Sequence, residues 1–177
     1  MKVISVNVGR PREFTVREAI IVTSIFKDPV MGRVGLTTLG LEGDEQSDLA
    51  VHGGVNKAVY VYPSEHYAWW REQLPDAELK WGAFGENLTI EGLIESTTCI
   101  GDRLRIGTAE LIVTQPRQPC YKLAYKFGRE DMIKRFVKSR RSGFYLSVAR
   151  EGDLGVGDSI ELISRQDGAP TVTDILG

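Results

Sequence analysis

Glycine sets the scale on which this chain can organise itself. Nineteen glycines in 177 residues break it at short intervals. The stretches between them are rich in Val, Ile, Tyr and Thr, which favour a pleated, half-buried surface over a long helix. The opening run, residues 1–9, alternates as a strand does. Further strands are predicted over 19–26, 57–62, 103–106, 110–114, 144–149 and 159–163, and Gly101-Asp102 and Gly157-Asp158 read as tight turns that launch two of them. Two helices are expected. One spans 64–74, with Pro63 at its first position and Pro75 as its stop; the other spans 129–138, after Gly128. In the second, Met132, Ile133, Phe136 and Val137 share one stripe, which reads as core. Many short strands with few helices predict a mainly β fold, a closed or nearly closed β-barrel. No linker or low-complexity tract divides the sequence, so a single domain over 1–177 is expected.

Charge and cysteine content narrow the function. A net charge of -2 argues against nucleic acid or a membrane surface as the main partner. No long apolar run suggests a transmembrane helix and the N-terminus lacks a signal-peptide core, which makes the cytoplasm the expected location. Two cysteines, Cys99 and Cys120, are too few for a disulfide scaffold or an iron–sulfur cluster, and with His52 and His66 they lack the paired spacing of a zinc site. Nucleotide-binding glycine loops, a nucleophile elbow and a zinc-protease motif are all missing.

Three clusters could carry chemistry. In Gln115-Pro116-Arg117-Gln118-Pro119-Cys120 a strand ends and two prolines stiffen the loop that presents a thiol. Arg117 and Lys122 flank Cys120, and positive charge nearby favours the thiolate that binds metals or attacks electrophiles; a small buried hydrophobe is the competing reading. Cys99, beside Ile100, reads as structural. The second cluster, 40–57, holds Asp48, His52, Gly53, Gly54 and Lys57. There Gly53-Gly54 lets backbone N–H groups approach a phosphate and Lys57 supplies charge, unless the stretch is a solvated turn. The third, Gly85-Glu86-Asn87, offers an amide that could read a heterocycle edge or cap its own turn. In addition, 122–141 carries eight Lys or Arg against Glu130 and Asp131, either a solvated helix face or a docking patch for an acidic partner. Phe26-Lys27-Asp28-Pro29 could also bring a cation to an anionic ligand.

Taken in order, Gly40-Leu41-Glu42-Gly43-Asp44, His52-Gly53-Gly54, Gly85-Glu86-Asn87-Leu88, Gly101-Asp102 and Pro116-Arg117-Gln118-Pro119-Cys120 resemble the MOSC domain over about 9–164. Tyr62-Pro63 with Glu65-His66-Tyr67, and Cys120-Tyr121-Lys122-Leu123, are similar to its stand-alone bacterial branch. The resemblance implies a MOSC-type β-barrel that binds the molybdenum cofactor (molybdenum with molybdopterin), with Cys120 as metal ligand. It further implies an oxidoreductase that reduces N-hydroxylated compounds such as hydroxylaminopurines, a detoxification role. Arg117, Lys57, Gly53 and Gly54 would then hold the pterin phosphate and polar edge. Asn87 and His52 would orient the pterin or supply protons, and Asp48 would set the tautomer of His52. Electrons would come from a separate flavin or iron–sulfur protein, and a homodimer is possible. The alternatives are sulfur transfer through a Cys120 persulfide, or a non-catalytic molybdopterin carrier. Some relatives continue into a longer helical C-terminal extension beyond the point matching 171–177, which could contribute to a substrate cleft or a dimer contact.

Overall fold

The structure, a computed structural model, describes residues 1–16, 19–45 and 54–176. The first half of the chain forms β1 (Lys2–Val8), β2 (Arg12–Val16), β3 (Ala19–Thr23), β4 (Asp28–Pro29), β5 (Arg33–Thr37), β6 (Gly40–Leu41), a single 3-10 turn (Val55–Lys57), β7 (Val59–Pro63) and α1 (Glu65–Gln73). There follow β8 (Leu88–Glu91), β9 (Arg103–Ile106), β10 (Ala109–Pro116), α2 (Tyr121–Phe127), α3 (Met132–Ser139), β11 (Phe144–Arg150), β12 (Gly152–Gly155), β13 (Ile160–Ser164) and α4 (Val172–Ile175). The architecture is mainly β with a few short helices.

β7 organises the layers because all five of its residues are buried. Val59 and Val61 point into an aliphatic core, while Tyr60 and Tyr62 point into an aromatic one on the opposite face. The aliphatic side is closed by Leu36, Leu41 and Leu154, which come from the three-stranded sheet β12-β5-β6. The aromatic side is closed by Tyr67, Trp70, Leu123, Met132 and Phe136, from α1, α2 and α3. The main sheet runs β13-β9-β10-β11-β7-β8-β1-β4, and its one parallel pair, β7 with β8, is the crossover that contains α1. Alternation in β1 changes phase at a register shift between Val3 and Ser5, so Val3 and Val6 reach the aliphatic core while Ser5 and Asn7 are buried with a hydrogen bond between them.

The expected barrel does not close among the described residues. β1 meets the opposite end of the sheet through the isolated bridge Lys2↔Ser159, with backbone bonds from Val3 N to Asp158 O, from Gly157 N to Val3 O and from Ile160 N to Met1 O, all 2.9 Å. Pro63 ends β7, where it pairs with Ile90, and does not start α1. The helix expected over 129–138 begins at Met132; Met132 and Phe136 are buried as the stripe predicted, but Val137 is 57% exposed. The strand expected to end at Thr114 continues through Pro116, which faces Phe144.

The turn before β11 has no room for a side chain. Gly143 has φ +63°, and a Cβ there would stand 2.3 Å from the carbonyl oxygen of Val61 and 2.9 Å from the rings of Tyr60 and Tyr62. Gly143→Ala is therefore expected to destabilise the protein by about 2–4 kcal/mol through strain and overpacking together, read as a lower urea midpoint with an unchanged slope.

Candidate functional site

An open cleft lies where the ends of β3, β7, β10 and β11 meet the start of α2. Its walls include Thr23, Lys27, Asp44, Lys57, Tyr60, Asn87, Arg117, Cys120, Lys122 and Tyr145. Cys120 sits at the N-terminal cap of α2 in extended backbone and makes no capping bond with its side chain. The thiol is free and half-buried, so the chain turns into a helix at the residue it presents to the cleft.

Arg117 is the main charge of the wall. It follows the last residue of β10, and its backbone N–H is tied to Gly143 O at 3.3 Å. Its guanidinium is sandwiched, 4.8 Å from the Tyr60 ring centre and 5.2 Å from that of Phe136. Burial opposes its charge, but Tyr60, Tyr145 and Cys120 more than compensate and raise its pKa above the ordinary arginine value. Its Nη1 is buried without a hydrogen-bond partner, the single such side-chain atom among the described residues. A buried, permanently charged fork with a spare donor fits an anionic oxygen of a ligand and is uncomfortable without one. Arg117→Met is therefore expected to change the stability of ligand-free protein by no more than about 1 kcal/mol, because the lost ring contacts offset the relief of a buried unpaired donor, while weakening ligand retention at least tenfold. Thermal melts with and without ligand check both halves of that expectation.

Asn87 has a different part from the one its sequence context suggested. Its Oδ1 accepts the Tyr60 N–H at 3.0 Å and its Nδ2 donates to Asp44 Oδ2 at 2.9 Å, so its amide braces the cleft and is not left open to read a heterocycle. Asp44 also accepts the Gly9 N–H at 2.7 Å and forms an ion pair with Lys27. Burial lowers the Lys27 pKa, and Asp44 and Glu86 pull it back only in part. Behind this brace Glu86 is fully buried and accepts bonds from the Tyr67 hydroxyl, Gly82 N, Phe84 N and Thr89 Oγ1.

Lys126, on α2, locks the helix that carries Cys120 onto two loops by donating to Ile25 O at 2.9 Å and Gly82 O at 2.8 Å. Burial pushes its pKa down to about 8 from 10.5. The unfolded chain therefore holds this proton more tightly than the folded one between those values, and stability rises with pH across that window. The contribution is complete above about 10.5 and is lost as pH falls through about 8, on the order of 3 kcal/mol in all. Urea unfolding at pH 7 and pH 9.5 should show this rise in the wild type and a smaller one in Lys126→Met.

Of the residues expected from sequence, the structure brings Lys57, Asn87, Arg117 and Cys120 to one cleft. Gly54 is not among its lining residues. Asp48, His52 and Gly53 lie outside the described residues. The second histidine, His66, bonds the buried carboxylate of Glu95 at 2.7 Å, away from the cleft wall. Cys99 is buried, and its backbone N–H bonds Asp102 Oδ2 at 2.9 Å, a structural role. Tyr60 and Tyr145 were missed; nothing in their local sequence marks a strand tyrosine as the floor beneath an arginine.

The MOSC domain model matches residues 48–161, which spans the 3-10 turn, Asn87, Arg117 and Cys120. The chain belongs to the MOSC domain family. Protein YflK of Bacillus subtilis is 46% identical over 163 residues, covering 92% of this chain and 73% of that protein. Protein YiiM of Escherichia coli is 44% identical over 145 residues, covering 81% of this chain and 65% of that protein. A reductase of Gibberella moniliformis is 36% identical over 148 residues, 82% of this chain but only 26% of the fungal protein. The crystal structure of YiiM from Geobacillus stearothermophilus superposes with a TM-score of 0.82 at 36% identity, over 99% of this MOSC chain and 81% of that one. No helix among the described residues is long and apolar enough to cross a membrane.

Proposed function

We propose that this MOSC domain binds the molybdenum cofactor in the Cys120 cleft and reduces N-hydroxylated compounds of the hydroxylaminopurine type. The observation that carries the reading is Arg117, a buried cation with an unpartnered donor in the cleft that presents Cys120. Family membership supports it, because MOSC domains in general are associated with this cofactor. The relative named as a reductase, at 36% identity, supports the reaction class.

The donor set suits such a group. Among the described residues no three His, Cys, Asp or Glu side chains are placed to hold a metal ion, so Cys120 would be a soft sulfur added to a metal that brings its own ligands. Arg117 would hold an anionic oxygen of the pterin phosphate, with Lys57 and Lys122 adding charge at the wall. Asn87, with Asp44 and Lys27, keeps that wall rigid. When bound, the cofactor supplies two-electron redox chemistry at the N–OH group. The N–O bond breaks, two electrons and two protons are consumed, and an amine and water are released. In this reading His52 supplies a proton to the departing hydroxyl, and Asp48 orients it.

The test is turnover of 6-hydroxylaminopurine by protein made in a cofactor-competent host, with reduced methyl viologen as electron source. Formation of adenine by loaded protein and none by cofactor-free protein is expected; loaded protein that leaves the substrate untouched contradicts the reductase reading. The free, half-exposed Cys120 thiol also suits sulfur transfer. A persulfide on Cys120 by mass spectrometry, in protein without metal, would favour that second reading.

A further inference from the structure

A groove on the far side of the aromatic core, between α1 and α3, is lined by Trp69, Gln73, Lys134, Arg135, Lys138 and Arg141. Lys134 and Lys138 stand one helical turn apart and are exposed. Arg141 lies over the Trp69 ring, 4.3 Å from its centre. Only Asp131, paired with Arg135 at 2.5 Å, opposes these cations in the groove. The groove is thus a strongly positive strip on a chain whose net charge is -2.

The floor of the groove leads to the cleft. Trp69 and Trp70 have ring centres 4.7 Å apart, and Trp70 stacks on Phe136 at 6.0 Å with 15° between the planes. Phe136 in turn lies 5.2 Å beneath the guanidinium of Arg117, which lines the cleft with Cys120. α3 therefore shows cations to solvent and supports the candidate site from behind. Unbroken packed aromatic matter couples an electron donor to an acceptor better than a water gap of equal width.

We propose that the α1–α3 groove is the docking surface for a small acidic electron-transfer protein carrying a reduced flavin or iron–sulfur centre, with Trp69, Trp70 and Phe136 joining it to the Cys120 cleft. The inference rests on the reductase reading. Reduction of one N–OH group consumes two electrons, given up by one fully reduced flavin or by two successive one-electron oxidations of an iron–sulfur donor, and two protons drawn from solvent. Charge complementarity selects the partner: an acidic protein matches a short cationic strip set with an aromatic, and gains both orientation and rate from it. A membrane would want an apolar wedge beside the lysines, and the outer face of α3 offers only Val137.

The test uses flavodoxin, an acidic flavin protein, as the probe. Calorimetry at low and high salt should show salt-sensitive binding to the wild-type chain. Binding should be at least tenfold weaker, with a flatter salt dependence, in the charge-reversal variant K134E/K138E, whose exposed positions leave the fold intact by circular dichroism. Turnover driven by reduced methyl viologen should be equal in the two proteins, and flavodoxin-driven turnover should fall only in the variant. Equal flavodoxin affinity in both, no binding to the wild type, or preferential capture of anionic vesicles or of a second copy of the chain would each overturn the assignment. Absence of viologen-driven turnover would remove the reductase reading, while the affinity comparison would still decide whether the groove docks an acidic protein.

Discussion

Glu86→Ala should bring the protein close to unfolding at 37 °C. Glu86 is fully buried and is the common acceptor for the Tyr67 hydroxyl, Gly82 N, Phe84 N and Thr89 Oγ1. Removing it strands those donors where water cannot reach, at about 1–3 kcal/mol for each left unpaired. It also removes the negative charge that helps keep Lys27 and Lys126 protonated in their buried positions. Breaking a network of this kind costs about 3–5 kcal/mol in other proteins, against a total stability of about 5–15 kcal/mol. Glu86→Gln should be milder. Three of the four bonds go to Oε1, which the amide oxygen can keep, leaving only Phe84 N facing an NH2 group. Urea midpoints should therefore fall in the order wild type, Glu86→Gln, Glu86→Ala. Equal stability of all three would mean the carboxylate is not the keystone of the wall behind the cleft.

What could be read from the sequence follows from where each signal is stored. The strand over 103–106 and those around 110–114 and 144–149 were legible because their β-branched and apolar residues are bounded by Gly-rich turns. α2 was not foreseen. It has seven residues, buries only Leu123, and begins immediately after Pro119-Cys120, so its stop at Gly128, in left-handed conformation, was its main local mark. The three-stranded sheet β12-β5-β6 and the two-residue strand β4 are equally invisible locally, since pairing partners far along the chain define them.

The site divides the same way. Arg117 and Cys120 could be found because a proline-stiffened segment holds both, and Lys57 because it follows a glycine pair. Asn87 was placed at the right cleft, but its bracing bonds, to Asp44 and from the Tyr60 N–H, were not legible because they join residues 43 and 27 positions away. Lys27 was marked locally as a cation that could meet an anionic ligand, but its pairing with Asp44 and the bonds of Lys126 to Ile25 O and Gly82 O join distant segments that no local spacing connects.

The second large effect falls on Cys120, and it bears on the central claim most directly. Cys120 caps α2 without a side-chain capping bond and is only half-buried, so replacing it should cost the fold little. Serine should keep or slightly raise stability, because a hydroxyl caps a helix well. The metal should behave otherwise, since oxygen is a poor substitute for a soft sulfur donor. The measurement is molybdenum per chain in wild-type, Cys120→Ser and Cys120→Ala proteins made in the same cofactor-competent host, with melting temperatures alongside. About one molybdenum in the wild type and less than about a tenth of that in both variants, with melts of the cofactor-free proteins within a few degrees of one another, is the expected result. Undiminished molybdenum in the variants would contradict Cys120 as the protein's ligand.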